Sequence, residues 1–177
     1  MKPRNRPPGG RRLKLKEATI RKLILGVLLA IGAATPLLAA PARAAGDDIT
    51  GWWYDETKRG GILIEPCGQQ LCGKVAWLRE PLDPAGKQKV DAKNPDATLK
   101  TRTICQLPML GGFNHTDQGE WEDGWIYNPE DGDTYKSRMV LQDDGTLRVR
   151  GFIGVPWLGK SQVWTRPPEP LQECKPT

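Results

Sequence analysis

Four cysteines, one histidine and several runs of carboxylates are the residues of this 177-residue chain whose types could do chemistry. Cys67 and Cys72 flank Gly-Gln-Gln-Leu between two apolar runs, and Cys105 and Cys174 follow. Four cysteines allow three pairings. A C-x4-C spacing is poor for zinc, which wants further Cys or His nearby, and a redox pair is normally C-x-x-C. The spacing points to a disulfide between Cys67 and Cys72 that staples a hairpin. Cys105 and Cys174 are then left to tie the C-terminal tail to the middle of the chain. No metal site and no cofactor are expected.

Signals of catalysis are thin. His115 is the only histidine, and Asn114-His115-Thr116 supplies no orienting acid for a triad. Carboxylates cluster at Glu120, Glu122 and Asp123, and at Glu130, Asp131 and Asp133. General acid–base work needs two of them held in a cleft with separated pKa values. These sit at strand edges and turns, where a solvated rim is the simpler reading. Asp131-Gly132-Asp133 lacks the alternating ligand loop and bidentate Glu of a calcium site. No glycine-rich phosphate loop joins a strand to a helix. The chain is not expected to be an enzyme.

Aromatic residues are the positive signal. Trp77, Phe113, Trp125, Tyr127, Tyr135 and Trp157 lie on or beside expected strands. Pockets for small apolar ligands are lined by such side chains, so these six are candidate ligand-binding residues for a small hydrophobic molecule or lipid. The same residues serve equally well as core. The rival reading is a non-catalytic envelope interaction protein with a filled interior.

The elements that position these residues are short and β-rich. Expected strands run over Gly51–Asp55, Gly61–Glu65, Gly73–Arg79, Leu107–His115, Glu120–Asn128, Thr134–Gln142, Thr146–Gly154 and Gly159–Arg166. Turn signals separate them at Lys58-Arg59-Gly60, Glu130-Asp131-Gly132 and Asp143-Asp144-Gly145. Tyr135, Met139 and Leu141 alternate with Lys136 and Arg138, and Leu147, Val149 and Ile153 alternate with Arg148 and Arg150. That period means one face buried and one wet. Trp121 and Ile126 have opposite parity unless Asp123-Gly124 forms a bulge. Glu80 to Arg102 is a long polar stretch, either a lid or a solvated loop. Asn94-Pro95 within it could cap a short helix. Eight strands with tight turns hide their edges by closing into an antiparallel up-and-down barrel, with a two-sheet sandwich as the alternative.

Residues 1–45 read as a secretory signal peptide, with an uncleaved anchor as the alternative. The stretch from Lys2 to Lys22 is basic, Leu23 to Ala40 carries no charge, and Ala42-Arg43-Ala44 ends it. The protein is therefore expected to be periplasmic or secreted, touching the membrane only through the leader. Residues 46–170 form the single domain and 171–177 a tail. Residues 1–44 hold ten of the 26 basic residues and one of the 21 acidic ones. The remainder is mildly acidic, which excludes a nucleic-acid partner read from the basic pI.

Gly51-Trp52-Trp53, Cys67-Gly68 to Leu71-Cys72-Gly73, Asn94-Pro95-Asp96, Trp121 to Pro129, Gly132 to Tyr135, Asp144 to Gly151 and Leu158-Gly159 to Arg166 together resemble a bacterial family, domain of unknown function 2147. The resemblance runs in order from about Ile49 to Arg166. It implies export and a lipocalin-like barrel. Gly51-x-Trp53 on the first strand with Arg166 on the last is also similar to lipocalin-like barrels, where an Arg covers the Trp. That likeness implies a structural role for Gly51, Trp53 and Arg166.

Overall fold

The computed structural model describes residues 48–176. The leader lies outside the described residues. Eight strands follow one another: β1 (Gly51–Tyr54), β2 (Gly60–Cys67), β3 (Gln70–Leu78), β4 (Leu107–His115), β5 (Glu120–Asn128), β6 (Asp133–Leu141), β7 (Leu147–Phe152) and β8 (Gly159–Trp164). They form a single sheet in sequence order, each antiparallel to the next. The sheet curls until its two edges meet at Tyr54 and Thr165, which exchange N–H···O bonds of 2.8 and 3.2 Å. A lipocalin-like barrel is thus formed, and the sandwich alternative falls.

Local chemistry sets the turns. The Asp55 carboxylate accepts from the amides of Arg59 and Gly60 at 3.1 and 2.7 Å, which closes the β1–β2 turn. Asp144 accepts from the Thr146 amide and hydroxyl in the β6–β7 turn. Asp123 takes a left-handed φ of 62°, and the β5–β6 register shifts between Trp121 and Gly124. This bulge re-phases β5, so that Trp121 and Gly124 are both buried.

Antiparallel order puts the turns after β1, β3, β5 and β7 at one end, here called the mouth. The other end, the base, holds the remaining turns, the start of β1 and the end of β8. The main core fills the base: Trp53, Trp121 and Trp164 pack with Phe113, Leu110, Met139 and their neighbours, all at 2% exposure or less. Trp53 Nε1 donates to the Ile49 carbonyl at 2.8 Å. The Arg166 guanidinium lies 3.8 Å from the Trp53 ring centre. It also donates to the carbonyls of Thr50 and Trp52 at 2.6 and 3.3 Å. Gly51 has φ +95°, and a Cβ there would press on Arg166 Nη1 at 3.2 Å. Burial pulls the Arg166 pKa down, and Asp48 opposes that.

Two disulfides, Cys67–Cys72 and Cys105–Cys174, use all four cysteines, the covalent pattern of a non-reducing, extracytoplasmic environment. The tail is laid along β3. The Cys174 amide donates to the Ala76 carbonyl, Glu173 pairs with Lys74 at 3.2 Å, and Leu171 lies against Gly61. Among the described residues no helix is long and apolar enough to cross a membrane.

Unequal loops predict unequal losses. In the chain-entropy view, opening Cys105–Cys174 costs about 4 kcal/mol and opening Cys67–Cys72 about 2 kcal/mol. Denaturant midpoints of the paired Cys→Ser variants should fall in that order. Arg166→Ala should cost about 1–2 kcal/mol, through lost cation–π contact and uncapped carbonyls, seen as a lower Tm with unchanged far-UV spectrum.

Candidate functional site: a cavity at the barrel mouth

The indoles that fill the base leave the mouth half of the interior hollow. A cavity of about 510 Å³ opens there. Ile62 on β2, Val75 and Leu78 on β3, and Met109 on β4 form its apolar floor and walls. Gln162 on β8 reaches in from the far side, and its Oε1 accepts from Trp164 Nε1 at 2.8 Å. The rim is charged: Asp55, Arg59, Arg79, Glu80, Lys89 and Glu130. Arg59 pairs with Glu130 at 2.7 Å and Lys89 with Glu80 at 3.6 Å, both in solvent.

Residues 80–106 are a strap that closes one side of the mouth. Val90, Ala92 and Ile104 contribute to the cavity wall. The strap carries its own backbone pairing: Asp91 N donates to the Arg102 carbonyl and Ile104 N to Lys89, both at 2.9 Å. Its short helix is a 3-10 turn at Ala97–Leu99, capped by Asp96 rather than Asn94. Asn94 is buried instead. Its amide bonds Asp91 and Tyr127, and its carbonyl oxygen accepts from the Asp96 amide.

Asp91 explains the anchoring. It is wholly buried, and an unpaired carboxylate there would be very costly. Four donors satisfy it: Tyr127 Oη at 2.7 Å, Asn94 Nδ2 at 2.8 Å, and Arg102 Nε and Nη2 at 2.9 Å each. Burial, then the hydrogen bond and charge of Asp91, raise the Tyr127 pKa. The hydroxyl therefore stays a donor. Gly132, at φ +86°, leaves no room for a Cβ beside the Lys93 carbonyl, so the β5–β6 turn seats the strap closely.

None of the six aromatic candidates is among the residues that line the cavity. Tyr127 stands one layer behind it, packed with Val75 and Leu107 and against Leu78, Ile104 and Met109. Phe113 belongs to the base core. Trp77 follows a register shift in β3, pairs with Gly61 instead of facing Ile62, and meets Tyr54 edge-on at 5.5 Å on the outer surface. Trp125 pairs with Gly111 and covers it from outside, 38% exposed. Tyr135 donates to Asp131 at 2.9 Å. Trp157 stands in the β7–β8 loop in solvent. The candidate site accordingly moves from aromatic to aliphatic residues. Ile62, Val75 and Met109 carried a usable signal, being apolar at strand ends facing the mouth. Val90 and Ile104 carried none, because strap residues have no period. His115 packs edge-on against Trp121 at 4.8 Å. Among the described residues no three His, Cys, Asp or Glu side chains gather as metal ligands.

One plugged end and one hollow end, on eight antiparallel strands, make a lipocalin-like fold. The chain belongs to the family DUF2147, described as uncharacterized protein conserved in bacteria, which matches residues 51–166. A similar solved fold is HP1028 of Helicobacter pylori, a protein described as belonging to the lipocalin family. The TM-score is 0.56 at 19% identity, over 67% of this chain and 82% of that one. No curated protein matches the chain.

The anchor can be tested apart from the cavity. Arg102→Gln strips the charge partner from a buried carboxylate and should cost about 3 kcal/mol. Tyr127→Phe removes one donor and should cost about 1–2 kcal/mol. Hydrogen exchange should rise over residues 80–106 in both variants, with little change at the base.

Proposed function

We propose that the domain binds a small, largely apolar molecule in the mouth cavity and works in the bacterial envelope without catalysis. The observation that carries this reading is the cavity of about 510 Å³ under an anchored strap, a volume within the range of small-molecule sites. Aliphatic walls favour an apolar body, and Gln162, exposed on the far wall, offers a polar contact. Charged groups of both signs at the rim suit a polar end left near solvent. The lipocalin-like fold supports binding of this kind. Export rests on the two disulfides together with the signal-like leader.

Native mass spectrometry of protein purified from the envelope, with solvent extraction, should reveal the cargo. Uptake of a fluorescent apolar probe should fall about tenfold or more in Val75→Trp with Met109→Trp, whose two indoles narrow the cavity from adjacent strands. Trp77→Ala, on the outer surface, should leave uptake unchanged. Full uptake by a folded Val75→Trp, Met109→Trp variant would remove the cavity as the site.

A further inference from the structure

The loop between β7 and β8 exposes three large apolar side chains together: Ile153 at 70%, Trp157 at 76% and Leu158 at 67%. The sequence pattern puts Ile153 in line with Leu147 and Val149, facing inward. The strand instead ends at Phe152, and Ile153 leaves the sheet. The loop is held in shape. Val155 N donates to the Ile153 carbonyl at 2.9 Å, and Leu158 N to Val155 at 3.0 Å. Arg150 Nε donates to the Pro156 carbonyl at 2.6 Å. A side chain from the neighbouring strand thus braces a turn whose apolar groups point away from the barrel.

The charge around this tip is one-sided. From Arg150 to Trp164 the chain holds Arg150 and Lys160 and no acid, in a domain that is acidic beyond its leader. Lys136 on β6 adds to it, opposite Phe152. Among the described residues Lys136 and Lys160 have no ion-pair partner. Glu122 and Asp123 line a groove together with Lys136, Gly154 and Pro156, and Glu122 is 3.9 Å from Arg138.

We propose that the β7–β8 tip is an anchor that inserts Ile153, Trp157 and Leu158 into the surface of an anionic phospholipid bilayer. Trp suits the headgroup boundary, with its apolar ring in the acyl region and its N–H at the wet edge. Apolar insertion plus basic residues above the headgroups is the combination that binds anionic membranes. A second copy is a poorer occupant, because a symmetric contact through this tip would set one cationic hairpin against another. The tip lies at the mouth end, beside the cavity, yet the inference does not depend on the cavity being a binding site.

The test is quenching of tryptophan fluorescence in the full chain by vesicles of acyl-brominated phosphatidylglycerol. The leader contains no Trp, so the quenched rings belong to the domain, and the tip variants separate insertion of the tip from tethering by the basic leader. Quenching should be strong, and Trp157→Phe should abolish most of it while Trp125→Phe retains it. Ile153→Ser with Leu158→Ser should cut quenching by about fivefold or more at unchanged Tm. Brominated phosphatidylcholine should quench far less, and Lys136→Glu with Lys160→Glu should erase that difference. Absent quenching on phosphatidylglycerol would overturn the anchor, as would undiminished quenching in Trp157→Phe. A dimer in sedimentation equilibrium that Trp157→Phe dissociates would overturn it in favour of self-association.

Discussion

The interior of an eight-stranded barrel is narrow, and what occupies it decides everything else about the fold. Eight strands leave room for packed side chains or for one small ligand. Here Trp53, Trp121 and Trp164, with Phe113, occupy the base. Large rings spend the volume quickly, so few positions are needed to plug that half. The opposite half carries Ile62, Val75, Leu78 and Met109, aliphatic side chains from β2, β3 and β4 that line one side without filling it. One sheet therefore makes a rigid foundation and a cavity without any change of topology. Arg166 seals the plug from below, where its charge rests on an indole and on backbone carbonyls.

A hollow mouth creates a second constraint, because apolar walls open to water lose the gain of burial. The strap lessens that exposure, but a polar segment of this length has little apolar surface with which to hold itself down. Asp91 supplies the hold. A carboxylate buried in its charged form needs full pairing, and the four donors to Asp91 come from β5 and from two separate points of the strap. Such a network adds modestly to net stability, since desolvation cancels much of the Coulomb gain. Its effect is specificity: other strap positions leave a charge stranded. The Cys105–Cys174 bond fixes the strap's far end to the tail.

Strands were legible because two-residue periodicity and turn chemistry agree at most boundaries. β4 and β5 match their expected spans, and the Asp123-Gly124 bulge follows from a parity conflict between Trp121 and Ile126. The hollow was less legible. Aromatic content says that rings will be near the core, but facing depends on register, and one bulge in β3 moves Trp77 from inside to outside. Asp91 looked like one charge among many in a polar stretch. Its burial depends on Tyr127, which lies 36 residues away in sequence, and no local pattern encodes that contact. Ile153 kept the strand's alternation for one residue beyond the strand.

The two ends of the barrel differ in a way that fits work at a surface. The base is covalently stapled at the β2–β3 hairpin, capped by Arg166 and filled with indoles. The mouth carries the cavity, the charged rim, the strap and the exposed β7–β8 tip. Three large apolar groups in water are unfavourable unless something covers them, and Arg150 braces the backbone that displays them. Burying that tip in a bilayer would bring the mouth end close to the lipid surface. A separation of anchor from cavity follows. The tip would set where the protein sits, and the cavity walls would set what it holds.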